Sequence, residues 1–190
     1  MKGFAIVMMV VMADIVVNMT PIPNTVPETQ PVVVETQAPT QAPTEAYIPT
    51  RKDGTIYRIY GVTPSEDWQA YLYAELDANG YGWFMPYAVC QIFQESRWNQ
   101  WSDNGRDFGL CQQKGIYWAD RAAHYGIAGA DIWDPYAQLH VFACMMSGYL
   151  AECGGDVGRA LSAYYLGTWD YSATYVGHVM SHWGALEVVR

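Results

Sequence analysis

The stretch ESRWNQWSDNGRDFGLCQ, residues 95–112, carries the strongest signal in this chain. It begins with Glu95 and Ser96, at the end of an apolar segment from Pro86 that has the pattern of a helix. Residues 99–110 are rich in Asn, Asp, Ser and Gly and predict a loop, in which Gly109 permits a close turn. The sequence therefore predicts a carboxylate at the end of an apolar helix and a turn that can fold back over it.

The segment before this helix predicts another helix. Thr63 is a good capping residue, Pro64 suits the first turn, and Glu66 completes the pattern of a capping box. Leu72 and Leu76 then recur at helical spacing, and Asn79-Gly80 is a typical helix end.

The remaining elements predict a mainly α domain with little or no strand. Residues 51–62 contain the turn signal Asp53-Gly54 and favour one short strand or a hairpin as a lead-in to the domain. Further helices are predicted at about 115–124, 135–152, 156–165 and 172–186. The domain itself is expected to occupy residues 63–190.

Two N-terminal segments differ in composition from this domain. Residues 1–19 hold Lys2 and then an apolar run interrupted by Asp14, which predicts an export signal or a membrane anchor. Residues 20–50 hold seven Pro and seven Thr and predict a disordered stalk, because they cannot bury enough apolar surface to fold. We therefore expect an extracytoplasmic protein of the cell envelope, either secreted or in contact with a membrane through its N-terminus.

Charge and cysteine content exclude several classes of function. The net charge is −9 with only ten Lys and Arg, and no basic cluster suits a nucleic acid. Cys144 and Cys153 lie nine residues apart on one predicted helix, about 13 Å along its axis, which is too far for a disulfide. No CxxC spacing indicates a structural zinc site, so we expect free cysteines and no metal.

Three blocks of sequence, in this order and spacing, resemble the catalytic domain of the soluble lytic transglycosylases. The blocks are Glu95-Ser96, then Gly109–Gln112, and about fifty residues later Ala163–Gly167. The resemblance covers about Tyr81 to Trp183. It implies a lysozyme-like (α+β) fold with a cleft between helical lobes, and peptidoglycan glycan strands as the substrate. It implies no cofactor and no metal.

The resemblance also implies a mechanism. Glu95 would protonate the oxygen that leaves when the bond between N-acetylmuramic acid and N-acetylglucosamine breaks. It would then accept the proton of the C6 hydroxyl, which closes a 1,6-anhydro ring. Such an acid needs a raised pKa, and the apolar neighbours Ile92, Phe93, Trp98 and Trp101 favour this.

Substrate contacts carry over from the same blocks. Ser96 would lie near the acid or the sugar, and Gln112 would contact the sugar or brace Glu95. Tyr164 would bring its hydroxyl close to the catalytic carboxylate. The other residues that we expect at the substrate are Gly109, Leu110, Tyr165 and Tyr175.

One departure from the family pattern and two candidates for a second carboxylate leave alternatives open. Tyr165 stands where the family usually has Asn, which bears on substrate detail and leaves room for a silent glycan-binding or assembly module. Asp103 and Asp107 precede Gly109, where lysozyme-type hydrolases carry acidic residues that position water. If either acts so, the products are those of hydrolysis. A further alternative, a peptidase with Cys90 as nucleophile and a histidine as base, has little support.

The partner expected from this reasoning is the peptidoglycan strand. An assembly of the envelope, serving secretion, conjugation or division, is a further candidate partner, and nucleic acid is not.

Overall fold

Residues 54–189 are described by the computed structural model and contain six α-helices and four short strands. The helices are α1 Glu66–Ala78, α2 Met85–Ser96, α3 Gly115–His124, α4 Pro135–Glu152, α5 Val157–Leu166 and α6 Ala173–Ser181. The strands are β1 Tyr57–Ile59, β2 Asp107–Phe108, β3 Gln113–Lys114 and β4 Leu186–Val188. The predicted mainly α class is confirmed. The predicted signal or anchor (1–19) and stalk (20–50) lie outside the described residues.

Helix α4 lies at the centre of the packing. It begins at Asp134-Pro135 as predicted, because the Asp134 side chain accepts a hydrogen bond from the Tyr136 N–H. Phe142 and Met146 of α4 are fully buried in the main core, which α1, α2, α5 and α6 also build. Each such side chain stabilises the fold by about 1.5–3 kcal/mol. Another face of α4 packs on α3, where a smaller cluster surrounds Trp118.

The start of α1 differs from the prediction. The helix begins at Glu66 with Ser65 as its N-cap, and no side chain caps it there, so the capping box at Thr63 is wrong. Instead the fully buried Gln69 fixes this corner. Its amide N–H donates to the carbonyls of Tyr57 and Pro64, and its oxygen accepts from the Tyr57 N–H. The Gln69 side chain therefore fastens α1 to β1 and does not cap the helix.

The end of the chain also differs from the prediction. The expected helix from 172 to 186 ends at Ser181, followed by a 3-10 turn at His182–Ala185 and strand β4. Strand β4 pairs antiparallel with β1, with Ile59 opposite Leu186. The pairing satisfies backbone groups of β1 that a longer helix would leave without partners.

The predicted loop at 99–110 contains part of a small ribbon. Strands β2 and β3 pair antiparallel, with Asp107 opposite Lys114 and Phe108 opposite Gln113. The turn between them is the Gly109–Gln112 block, so the ribbon fixes where this block lies.

No helix within residues 54–189 is long and apolar enough to cross a membrane.

A charged pair joins α1 to α4. The Nδ1 of His140 lies 3.0 Å from the Glu75 carboxylate, and its Nε2 lies 3.0 Å from the Tyr125 carbonyl. The Cys144 thiol and Glu75 raise the pKa of His140 to about 11, and His140 lowers the pKa of Glu75. Both ring nitrogens therefore donate, and His140 is charged at neutral pH.

We expect Glu75→Gln to lower the free energy of unfolding by about 1–2 kcal/mol at pH 6, after allowance for solvent screening of this partly exposed pair. The loss should shrink as the pH falls below 4.5, because the unfolded state then binds a proton at Glu75 that the native state resists. It should also shrink as the pH rises from 6.5 towards 11, because the unfolded state has then released the His140 proton that the native state still holds. Urea denaturation at pH 3, 6 and 10 measures this. Glu152→Gln, which changes an exposed carboxylate, is the control, and an equal loss at all three pH values would contradict the prediction.

Candidate active site

Glu95 lies in the last turn of α2 and opens into a cleft of about 1230 Å³. One side of the cleft is the ribbon of β2 and β3, and another is the end of α5 with Tyr164 and Tyr165. A cleft of this volume accommodates more than one sugar ring.

The pKa of Glu95 is raised from 4.5 to about 7. Burial is the main cause, because an ionised carboxylate loses its hydration there. The negative charge of Asp107 raises the pKa further, whereas a hydrogen bond from Tyr175 lowers it. Near neutral pH the group is therefore a mixture of acid and base, the state that proton transfer in both directions requires. Of the apolar neighbours expected to cause this, Trp98 is buried, but Trp101 is 65% exposed and lies against Trp133 with the two rings tilted by 37°.

Tyr175 of α6 is the hydrogen-bond partner of Glu95, and its hydroxyl donates to the Glu95 Oε1. That hydroxyl accepts in turn from the amide of the fully buried Gln91, at 3.4 Å. The Tyr165 ring stacks on the Tyr175 ring, with centroids 4.5 Å apart and planes 6° from parallel. Tyr165 thus covers the tyrosine that holds the carboxyl group.

The backbone turns sharply after Glu95. Arg97 and Trp98 both have positive φ, 55° and 62°, a conformation that a bulky L residue adopts only under constraint. The constraint comes from burial of the Trp98 ring, whose Nε1 donates to the Val89 carbonyl at 3.3 Å. Ser96 is 9% exposed, does not line the cleft, and its hydroxyl donates back to the Ile92 carbonyl at 3.4 Å. The turn thus ends α2 directly after Ser96.

The members of the Gly109–Gln112 block have different roles, and of the four only Gln112 lines the cleft. Leu110 is fully buried in the main core, and neither it nor Gly109 lines the cleft. Gln112 does line it, with φ of 48°. Its amide donates to the carbonyls of Ser102 and Gly109 and accepts from Asn104, so it braces the loop rather than Glu95.

Gln138 of α4 holds this block from behind and was not predicted from the sequence. It is 1% exposed. Its oxygen accepts from the Cys111 N–H at 2.8 Å, and its nitrogen donates to the carbonyls of Phe108 and Ile132. The signal for it was a glutamine at a core position of an otherwise apolar helix, because a buried amide needs partners.

Tyr164 of α5 also supports the block. Its hydroxyl donates to the Cys111 carbonyl at 2.5 Å and accepts from the buried Gln113 at 3.0 Å. Gln113 in turn accepts from Arg121 of α3 at 2.8 Å. Tyr164 was predicted to place its hydroxyl close to the catalytic carboxylate, and the charge of Glu95 does raise the pKa of Tyr164. Its hydrogen bonds fix the backbone beside the cleft, whereas the hydrogen bond to Glu95 comes from Tyr175.

The two candidate second carboxylates differ in their surroundings. Asp103 is exposed and accepts from the Gly105 N–H at 2.6 Å, a turn-forming role. Asp107 lines the cleft together with Glu95 and accepts from Asn104 through Oδ2 at 3.1 Å. Its Oδ1 is buried and has no hydrogen-bond partner within residues 54–189. Of these two carboxylates, Asp107 is therefore the one that shares the cleft with Glu95.

Other reactive groups lie elsewhere. All four cysteines are free, and burial raises the pKa of the Cys90 thiol to about 12, which disfavours the thiolate that a peptidase needs. Among residues 54–189, Glu75, His140 and Cys144 are the one group whose ligating atoms lie within 4.8 Å of one another. None of them lines the cleft, and both ring nitrogens of His140 already have hydrogen-bond partners.

We expect Tyr175→Phe to raise the pKa of Glu95 above 7. The tyrosine hydroxyl stabilises the ionised carboxylate, so its loss leaves the effect of burial unopposed. Titration of the Glu95 carboxyl carbon by NMR measures the shift. Tyr171→Phe, at a tyrosine 59% exposed, should leave the pKa unchanged. An unchanged or lower pKa in Tyr175→Phe would show that the hydroxyl does not stabilise the carboxylate.

Comparison with known proteins identifies no relative, since no family model, curated protein or solved structure gives a significant match. The function is therefore argued from the residues and geometry of the cleft.

Proposed function

We propose that this protein is a peptidoglycan lytic transglycosylase that cleaves the β-1,4 bond between N-acetylmuramic acid and N-acetylglucosamine. The observation that carries the proposal is the carboxyl group of Glu95, with a pKa of about 7, in the lining of a cleft of about 1230 Å³. The motif resemblance around the same residue supports it.

The proposed reaction uses Glu95 twice. In the first step the Glu95 proton moves to the glycosidic oxygen of N-acetylglucosamine, and the bond from that oxygen to C1 of N-acetylmuramic acid breaks. The N-acetyl oxygen of the same sugar supports the electron-poor C1. In the second step the C6 hydroxyl attacks C1, and its proton returns to Glu95. No water is consumed, and the carboxyl group ends as it began.

The residues around Glu95 suit both steps. The Tyr175 hydroxyl stabilises the carboxylate that remains after the first transfer, while burial favours the protonated form that begins it. The Tyr165 ring restricts movement of Tyr175. The exposed faces of Tyr165 and Tyr117 offer aromatic surfaces to sugar rings within the same cleft.

A lysozyme-type hydrolase is the second candidate, and Asp107 favours it. Asp107 lines the cleft together with Glu95, so its carboxylate is the candidate to position a water molecule that attacks C1. The reaction would then use the same acid but a different nucleophile.

The product masses of digested peptidoglycan distinguish these candidates. We expect the full chain to release 1,6-anhydro products, lighter by one water than the products of hydrolysis, and Glu95→Gln to release none. Hydrolytic products that disappear in Asp107→Asn would establish the second candidate. Glycan binding without cleavage by the folded native protein would overturn both and indicate a binding module.

The envelope location follows from the proposed substrate. The export signal or anchor in residues 1–19 and the stalk in 20–50 stay predictions, as does any partner assembly.

A further inference from the structure

Basic residues are scarce in this acidic protein, and half of those in the described part of the chain line the cleft. The net charge of the chain is −9, and residues 54–189 contain six Lys and Arg. Three of these six line the cleft: Arg106, Lys114 and Arg121. They share it with Asp107 and with Glu95, which is only partly ionised near neutral pH. The cleft therefore carries more positive than negative side chains, although the whole chain carries an excess of negative charge.

These three cations have no carboxylate partner of their own. Within residues 54–189, none of them forms an ion pair, although Lys114 lies opposite Asp107 in the ribbon. By contrast Arg58 pairs with Glu187, and Arg159 with Asp156. A ligand with carboxylates can therefore bind at the cleft without displacing an existing pair.

The cleft has a side arm at Arg121. A second cavity of about 440 Å³ shares the lining residues Tyr117, Arg121, Met145 and Tyr149 with the cleft, so the two lie side by side. The arm runs along α3 past Asp120 and His124 and does not include Glu95. It is thus a space for a part of the ligand other than the reacting bond.

Arg121 is held at the junction of cleft and arm. Its Nη1 donates to the Gln113 oxygen at 2.8 Å, and its guanidinium lies over the Tyr117 ring, 5.6 Å from the centroid. It is half-buried, so its orientation is fixed before a ligand binds. The remaining N–H groups of the guanidinium are available to a carboxylate.

We propose that Arg106, Lys114 and Arg121 bind the carboxylates of the peptides carried by the glycan, and that the side arm receives one such peptide. The inference rests on the proposed function. It makes the protein selective for strands that bear peptides, because sugar rings alone would not use the three cations or the arm.

Three forms of one glycan preparation test this. The first is intact, the second has its carboxylates converted to amides, and the third has its peptides removed by an amidase. We expect the full chain to cut intact strands with a kcat/KM about tenfold above that for either of the others, the effect of one or two charge-assisted hydrogen bonds. High salt should reduce the preference.

The variants Lys114→Gln and Arg106→Gln test whether the preference for intact strands comes from the cleft. Arg159→Gln, outside the cleft, is the matched control. The first two should bring the ratio of intact to amidated strands close to one, and the control should keep the native ratio. Arg121→Gln is read only as a further test, because it also removes a bond to Gln113.

Each outcome decides the proposal. Equal cleavage of all three strands by the native protein would overturn it and leave the proposed function standing. A loss on stripped strands but not on amidated ones would show that the arm recognises peptide shape and not charge, which also overturns it. If no strand is cut, the proposed function fails, and binding of intact against amidated strands to the native protein then decides the inference separately.

Discussion

Replacement of Glu95 by Gln is expected to lower kcat/KM on peptidoglycan by at least about a thousandfold. The amide cannot give a proton to the leaving oxygen or take one from the C6 hydroxyl, and general acid–base catalysis is commonly worth 10²–10⁴ per group. Substrate binding should change little, since the amide keeps the shape of the side chain and can accept from Tyr175. Release of soluble fragments and pull-down of insoluble peptidoglycan measure the two quantities. Retention of more than a tenth of the native rate would remove Glu95 from the mechanism.

The same substitution is expected to stabilise the fold at high pH. The native state holds the Glu95 proton with a pKa of about 7 against 4.5, so native stability falls as the pH rises from 4.5 to 7 and then levels off. Gln has no proton to lose, so the variant should gain about 3 kcal/mol over the native protein at pH 9 and almost nothing at pH 4. Urea unfolding at both pH values checks this, with Glu152→Gln as the control at an exposed carboxylate. A gain of the same size at pH 4 would mean that burial of the charge is not its cause.

The helices could largely be predicted from the sequence because their start and stop signals are local. Asp134-Pro135 and Asp156 mark the beginnings of α4 and α5, and in the structure both aspartates accept from backbone N–H groups of the first turn. The prediction failed where a distant segment decides the local structure. The end of α6 is set by the pairing of β4 with β1, more than a hundred residues away in sequence.

The candidate site could be predicted in part for the same reason. Glu95 follows from the local pattern and the motif, and it does lie in the cleft with a raised pKa. Its partner Tyr175 is 80 residues away, and the choice between Tyr175 and Tyr164 depends on how α5 and α6 pack. Gln91, Gln113 and Gln138 were missed because each looks like an ordinary polar residue until its buried partners are known.

Among glycine-to-alanine substitutions in residues 54–189, we expect Gly109→Ala to be the most destabilising. It should lower the free energy of unfolding by about 3–5 kcal/mol. Gly109 has φ of 73°, and a Cβ there would lie 1.9 Å from the Gln138 nitrogen and 2.5 Å from its amide carbon. Relief of this clash requires Gln138 to move, which breaks its buried hydrogen bonds to Phe108, Cys111 and Ile132. Each lost buried bond costs about 1 kcal/mol or more, and the positive φ adds about 1 kcal/mol.

Gly105→Ala separates these two costs. Gly105 lies in the same loop with φ of 83°, but a Cβ there would meet nothing within 4 Å, so this variant should lose only about 1 kcal/mol. The difference between the two variants in urea unfolding therefore measures the contact with Gln138. The double variant Gly109→Ala, Gln138→Ala should lose much less stability than the sum of the losses in the two single variants, because both substitutions break the same hydrogen bonds. If the losses of unfolding free energy are fully additive, or are equal for Gly105→Ala and Gly109→Ala, then glycine is needed at position 109 for its backbone conformation alone. In that case Gln138 would not be what holds the Gly109–Gln112 block against the cleft.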